Sequence, residues 1–197
     1  MQISAAQHIF VTGACGAGKS TLGRALSSQL QLPLHRLDDD PDFRQMLPYE
    51  PYLHRLTDPQ RYAQWQALRR YPVQEAVTLP PPHIIESTHI LTAPELTTGH
   101  RRIVVDTPLH QIIRQYLARG RAHDAEDPVR YADRHPGAPG SVAARQRALR
   151  ARQSYEGLRP GIAAFRHLPG VEIVPSRTLK TWLPKQVKTS SDLTGTI

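Results

Sequence analysis

Gly13-Ala14-Cys15-Gly16-Ala17-Gly18-Lys19-Ser20-Thr21 is the stretch that decides how this chain is read. Gly13, Gly18, Lys19 and Ser20 stand at the defining positions of G-x-x-x-x-G-K-[ST], the Walker A pattern. Glycines let such a loop curl until successive backbone N–H groups face phosphate oxygens. All nine residues, Gly13 to Thr21, are therefore candidates for holding a nucleotide's phosphates. Lys19 supplies a mobile cation for the β- and γ-phosphates, and the Ser20 hydroxyl is a candidate Mg²⁺ ligand.

The flanks agree with that reading. His8-Ile9-Phe10-Val11-Thr12 has the look of a short buried strand running into the loop. Leu22, Ala25, Leu26, Gln29 and Leu30 follow at helical spacing, so a helix N-terminus with its dipole faces the same phosphates.

Composition bounds the rest. With 197 residues the chain is long enough for one domain with a substantial core. No apolar run approaches the roughly 20 residues of a membrane span, and the first strand begins almost at once, which argues against a signal peptide. The single cysteine, Cys15, excludes an internal disulfide framework. A cytoplasmic protein with no membrane partner is expected. Cys15 reads as a small loop residue whose alkylation would block the site. Net charge is +8, from 25 Lys+Arg against 17 Asp+Glu, and 21 of the 25 are arginine. Such a surface suits either plain solvation or a polyanionic partner.

Further along, Leu32–Leu37 predicts a second strand ending in Asp38-Asp39-Asp40, at the edge where open α/β sheets bind ligands. Residues 42–77 form an interrupted helical insert, broken by Pro48, Pro51 and Pro59, with Tyr62, Trp65, Leu68 and Arg69 on one face. His83–Glu86 predicts a third strand, with Glu86-Ser87-Thr88-His89 again at the ligand edge. Arg102–Asp106 predicts a fourth, after which Asp106 or Thr107 caps a helix with Pro108 in its first turn. That helix sends Ile112, Ile113, Tyr116 and Leu117 to the core and is expected to stop at Arg119-Gly120-Arg121. The polar stretch 121–140 reads as a flap. A helix from Ser141 to about Gly157 carries Arg145, Arg147, Arg150 and Arg152, and Gly170–Val174 predicts a fifth strand. Residues 177–197 read as a basic polar tail, and no zinc-ligand spacing occurs among the ten histidines.

On three sets of residues the chain resembles the P-loop small-molecule and nucleotide kinases, a group that includes adenylate, shikimate, gluconate and nucleoside kinases. The first is Gly13–Thr21. The second is Asp38-x-Asp40, similar to the D-x-D after the second strand in the shikimate-kinase type. The third is Arg114-Gln-Tyr-Leu-Ala-Arg119-Gly-Arg121, similar to the R-x-x-x-x-R-x-R run leading into the lid. The resemblance covers roughly residues 7–176. It implies a three-layer αβα fold with a five-stranded parallel sheet in order 2-3-1-4-5. It also implies a single domain over 1–176 with an insert at 42–79, an arginine-rich lid at about 119–152, and MgATP as donor. The lid lacks the zinc or long β-insert of large adenylate kinases. Glu86-Ser87 resembles the E-R-S of deoxynucleoside kinases without its arginine.

On this resemblance the catalytic candidates are Lys19, Asp38, Asp40, Arg119 and Arg121. Ser20 and Asp38, the latter through water, are the candidate metal ligands. Asp38 is the first choice, and Asp40 the second, to orient or deprotonate an acceptor hydroxyl. The two arginines would close over the transferring group. Three activities fit. One is a kinase acting on a nucleoside, nucleotide or sugar-like hydroxyl. Another is a kinase acting on a modified base in DNA, of the phage 5-hydroxymethyluracil type, with Arg69, Arg70, Arg101, Arg102 and the Lys180–Lys188 tail as a basic track. The third is a P-loop ATPase or regulator with Asp106 as its Walker B residue.

Overall fold

A computed structural model describes residues 7–39, 59–126, 140–179 and 181–182. Five short strands form one parallel sheet: β1 (Ile9–Gly13), β2 (Leu34–Arg36), β3 (Ile84–Glu86), β4 (Arg101–Asp106) and β5 (Val171–Pro175). Their order is β2-β3-β1-β4-β5, as the resemblance implied. β1 lies between β3 and β4 in parallel register, Ile9 opposite both Ile84 and Arg101. Covered on both faces, β1 is buried at every residue, which is why it reads as continuous apolar sequence rather than as alternation.

Among the described residues four helices flank the sheet in a three-layer arrangement: α1 (Lys19–Leu30), α2 (Pro59–Val77), α3 (Leu109–Glu126) and α4 (Gly140–Arg166). α1 packs on β1, β2 and β3 through Leu22 and Leu26, both fully buried. α4 packs on β4, β5 and α3, with Ala151, Ile162 and Phe165 inside. α2 lies against the 3₁₀ turn His89–Thr92 that follows β3.

Several boundaries differ from the sequence reading. Pro59 begins α2 instead of breaking it, as suits a residue with no N–H to lose in the first turn. Among the described side chains of α2, Arg69, Pro72, Val73 and Ala76 are buried, while Leu68 is exposed. α3 runs through Arg119-Gly120-Arg121 to Glu126, so the front of the expected flap is helical. α4 passes Gly157 and Pro160 to reach Arg166. Pro160 is exposed, so the carbonyl deprived of its helical partner faces water, and burial of Ile162 and Phe165 holds the last turns. Pro108, not Asp106 or Thr107, immediately precedes α3, and its carbonyl accepts from the Gln111 and Ile112 N–H groups. Beyond β5, the 3₁₀ turn Ser176–Thr178 leads to Leu179 and Trp182, which pack on the core, with Arg101 over the Trp182 ring. The front of the expected tail is therefore structured.

Asp40, the stretches 41–58 and 127–139 and the tail lysines Lys180, Lys185 and Lys188 lie outside the described residues, as do the side chains of Trp65, Arg119, Arg121, Arg145, Arg147 and Arg150.

Candidate phosphate and acceptor site

The loop between β1 and α1 has the shape its glycines permit. Gly13, Gly16 and Gly18 all have positive φ, and a Cβ on Gly13 would sit 2.5 Å from the Val105 carbonyl oxygen. No other residue fits there. The Ala17 N–H donates to the Ala14 carbonyl at 3.0 Å, tightening the curl. The Thr107 hydroxyl donates to the Ala17 carbonyl at 2.8 Å and ties the loop to the end of β4. α1 starts at Gly18 with no side-chain cap and no acidic residue in its first turn, which leaves the positive end of the helix dipole facing the loop.

Lys19, the first residue of α1, is buried and donates to the Ala14 carbonyl at 3.2 Å. A buried ammonium needs a counter-charge, and Glu86 at the end of β3 provides it, Oε1 lying 3.8 Å from Nζ. The other oxygen of Glu86 accepts from the Ser20 hydroxyl at 3.0 Å and from Arg36 Nε at 3.2 Å. Glu86 thus joins both reactive residues of the loop to the end of β2. The sequence placed it at the ligand edge but gave it no role. Its contacts arise because β3 runs beside β1, which brings together residues 66 apart in the chain.

A second cluster lies beside the first. The Ser87 hydroxyl donates to Asp38 Oδ1 at 2.8 Å and accepts from the His89 N–H at 3.0 Å. The Thr12 hydroxyl holds the Ser87 carbonyl at 2.8 Å. His89 is buried, its Nδ1 accepts from Arg69 Nε at 3.0 Å, and its Nε2 lies 3.6 Å from Asp38 Oδ1. Burial pushes the His89 pKa down to about 3, and the nearby Arg69 and Lys19 charges act in the same direction. The imidazole is therefore neutral. Asp39 is exposed and pairs with Arg36.

Of the sequence-predicted residues, Lys19, Ser20 and the whole loop come together with Glu86, and Asp38 stands on the adjacent strand end. Ser20 is bonded to Glu86, whereas Asp38 is bonded to Ser87. Asp106 pairs with Arg166. On the other side of the loop an open cavity of about 360 Å³ is lined by Ala17, Thr21, Gln111, Arg114, Arg177 and Leu179.

The residues at the end of β3 and the start of α1 suit the expected metal. Glu86 Oε1 is buried without a hydrogen-bond partner, while the other oxygen of the same carboxylate holds the Ser20 hydroxyl. Mg²⁺ is commonly bound by one or two carboxylates together with phosphate oxygens. Among the described residues no three His, Cys, Asp or Glu side chains form a cage of their own. Ser20 with Glu86 suits a cation that shares its shell with a nucleotide.

No protein-family model and no curated protein matches the sequence. Solved structures do match, over nearly the whole chain. A shikimate kinase from Bacteroides thetaiotaomicron aligns with a TM-score of 0.54 at 16% identity, covering 95% of this chain and 97% of that one. A shikimate kinase from Acinetobacter baumannii, in complex with shikimate, gives 0.52 at 12% identity, with 96% of each chain covered. A gluconokinase from Sinorhizobium meliloti gives 0.50 at 12%, covering 96% and 98%. Strand order, loop geometry and these likenesses together show that the chain has the fold of the P-loop kinases.

Proposed function

We propose that this protein is an ATP-dependent kinase that transfers the γ-phosphate to a hydroxyl of a small nucleoside-, nucleotide- or sugar-like molecule. The observation that carries this reading is the juxtaposition of two clusters on neighbouring strand ends. Lys19, Ser20 and Glu86 form a donor side, and Asp38, Ser87 and His89 form an acceptor side. A P-loop ATPase needs only the first. The solved structures that share the fold include shikimate kinases and a gluconokinase, which fits a small hydroxylated acceptor.

Phosphoryl transfer depends on alignment and on neutralising charge. The loop N–H groups and the α1 dipole would hold the phosphates, and Lys19 would leave Glu86 to follow charge building on the γ-phosphate. Bound Mg²⁺, held by Ser20 and Glu86 with Asp38 reaching it through water, would screen the phosphate oxygens. Asp38 would orient the acceptor hydroxyl and take its proton. The cavity beside Arg114 and Arg177 is suited to the nucleoside end of the donor, its size lying within the usual range of small-ligand sites. Arg119 and Arg121, on the last turns of α3, remain the proposed lid arginines, and Asp40 the second choice of base.

The basic residues argue against a DNA acceptor. Arg69 is buried on His89, Arg70 pairs with Glu95, Arg101 pairs with Glu172, and Arg102 is buried on the Pro169 carbonyl. Arg101 and Arg102 begin β4, at the opposite end of the sheet from Asp38. These four arginines serve the fold rather than a track to the site.

The test is transfer from labelled ATP to a panel of nucleosides, hexoses, sugar acids, shikimate and 5-hydroxymethyluracil DNA, at rising salt. The expected result is salt-insensitive labelling of a small compound. Labelling of DNA alone, falling steeply with salt as counterion release requires, would replace this reading with the polymeric one.

A further inference from the structure

Arg69, His89 and Asp38 form a line from α2 to the proposed base, and the donor inventory settles how each hydrogen in it is arranged. A guanidinium only donates, so the Arg69 Nε–H at 3.0 Å from His89 Nδ1 requires a lone pair on that nitrogen. A neutral imidazole that accepts at Nδ1 carries its hydrogen on Nε2. That nitrogen is the one 3.6 Å from Asp38 Oδ1. The backbone N–H of the same histidine donates to Ser87 Oγ at 3.0 Å, which directs the Ser87 hydrogen onward, and it goes to Asp38 Oδ1 at 2.8 Å. One residue therefore sets two donors toward one carboxylate oxygen. The Ser87 carbonyl is fixed in turn by Thr12, next to the loop.

We infer that His89 is a positioning residue for the acceptor side. Arg69 locks it as the Nε2–H tautomer, and it holds the Oδ1 side of Asp38, directly and through Ser87, so that the carboxylate presents a fixed orientation to the acceptor hydroxyl. This role rests on the kinase reading, since it assigns Asp38 to the acceptor. It adds a link the motifs do not contain: α2, which lies within the expected insert, is coupled through Arg69 to the orientation of the base. A 3.6 Å separation is longer than a hydrogen bond and is the kind of contact that shortens when substrate completes a site.

Two measurements test the role. Long-range proton–nitrogen correlation on isotope-labelled histidine, with the His89 signal assigned by its loss in His89→Gln, should show the Nε2–H tautomer in the wild-type protein. The Nδ1–H tautomer overturns the proposal without any assay of activity. The second measurement compares His89→Gln, which keeps an N–H near the Nε2 position, with His89→Leu, which keeps bulk only. With the best compound of the panel, His89→Gln should retain kcat within about threefold and His89→Leu should lose about thirtyfold or more, KM for MgATP staying within about twofold in both. Equal losses in the two variants would make His89 a packing residue and overturn the role. If wild-type protein labels no compound at all, the kinase reading falls and the role falls with it, an outcome distinct from either of the others.

Discussion

The two ends of the sheet treat histidine and charge in opposite ways. At the ends where β1, β3 and β4 begin, His8, His83 and His100 cluster, ring centroids 5.9 Å apart for His8 and His83 and 5.0 Å for His8 and His100. Two of the rings accept from backbone groups: the His8 N–H donates to His100 Nδ1, and the His83 N–H to His8 Nδ1, each at 3.2 Å. At the other end His89 sits between an arginine and a carboxylate, beside a buried Lys19 and Glu86. A histidine that terminates backbone donors supports the fold. One that bridges two ionised side chains beside a phosphate loop is placed for chemistry. Substitutions at the first end should therefore move stability and leave turnover alone, and those at the second should do the reverse.

The largest effect is expected from Lys19→Ala. Turnover should fall by about a thousandfold or more, because a charge that tracks the transferring group is lost. Circular dichroism should show the fold retained. Near-normal transfer by folded Lys19→Ala protein would remove the donor side of the comparison.

Asp38→Asn comes next. It keeps shape and removes the base, so kcat should drop by about a hundredfold with MgATP affinity little changed, a split that kinetics and calorimetry resolve. Asp39→Asn, at an exposed residue paired with Arg36, should cost far less. If Asp39→Asn is the damaging change, the wrong carboxylate has been assigned to the acceptor.

At the opposite end, His100→Ala removes the acceptor of the His8 N–H. It should lower stability by about 1–2 kcal/mol in denaturant titration without altering kcat. Acid should act here too. Burial pushes the His8 and His100 pKa values down from 6.5, and for His8 the neighbouring His100 and His83 add to the shift. The unfolded chain therefore takes up protons first as pH falls below 6.5, and the stability present above that value declines toward the folded-state values. His89, with a folded value of about 3, shifts in the same sense and extends the decline further into acid. His100→Asn, which offers an amide oxygen where Nδ1 accepts, should flatten the first part of the decline. An unchanged pH profile in that variant would detach the histidine cluster from acid stability.

Much of the donor side was legible in sequence because its residues are neighbours in the chain. Gly13 to Ser20 need only a strand before them and a helix after them, and both announce themselves by periodicity. The five strands were likewise found within a residue or two at each end, most of them through short apolar stretches such as Ile9–Val11, Ile84–Ile85 and Ile103–Val105. What sequence could not supply was contact across the sheet. Glu86 reaches Ser20, and Ser87 reaches Asp38, only because β3 lies between β1 and β2, an order that the family resemblance and not the residues implied. Arg69 illustrates the same limit, read first as one side of an insert or part of a basic track and found buried on His89. The helix ends failed for another reason. Gly120, Gly157 and Pro160 carry local signals for a stop, and burial of Ile162 and Phe165 against the sheet outweighs that signal for α4.

The central claim is that the strand ends deliver phosphate from ATP to a hydroxyl held at Asp38, and the most direct measurement follows the label. Wild-type and Asp38→Asn proteins are given γ-labelled ATP with each compound of the panel, and labelled product is separated from free phosphate. Wild-type protein is expected to label a small hydroxylated compound, and Asp38→Asn to bind MgATP yet leave that compound unlabelled. Release of free phosphate at one rate, with or without any compound and equally in both proteins, would contradict the claim.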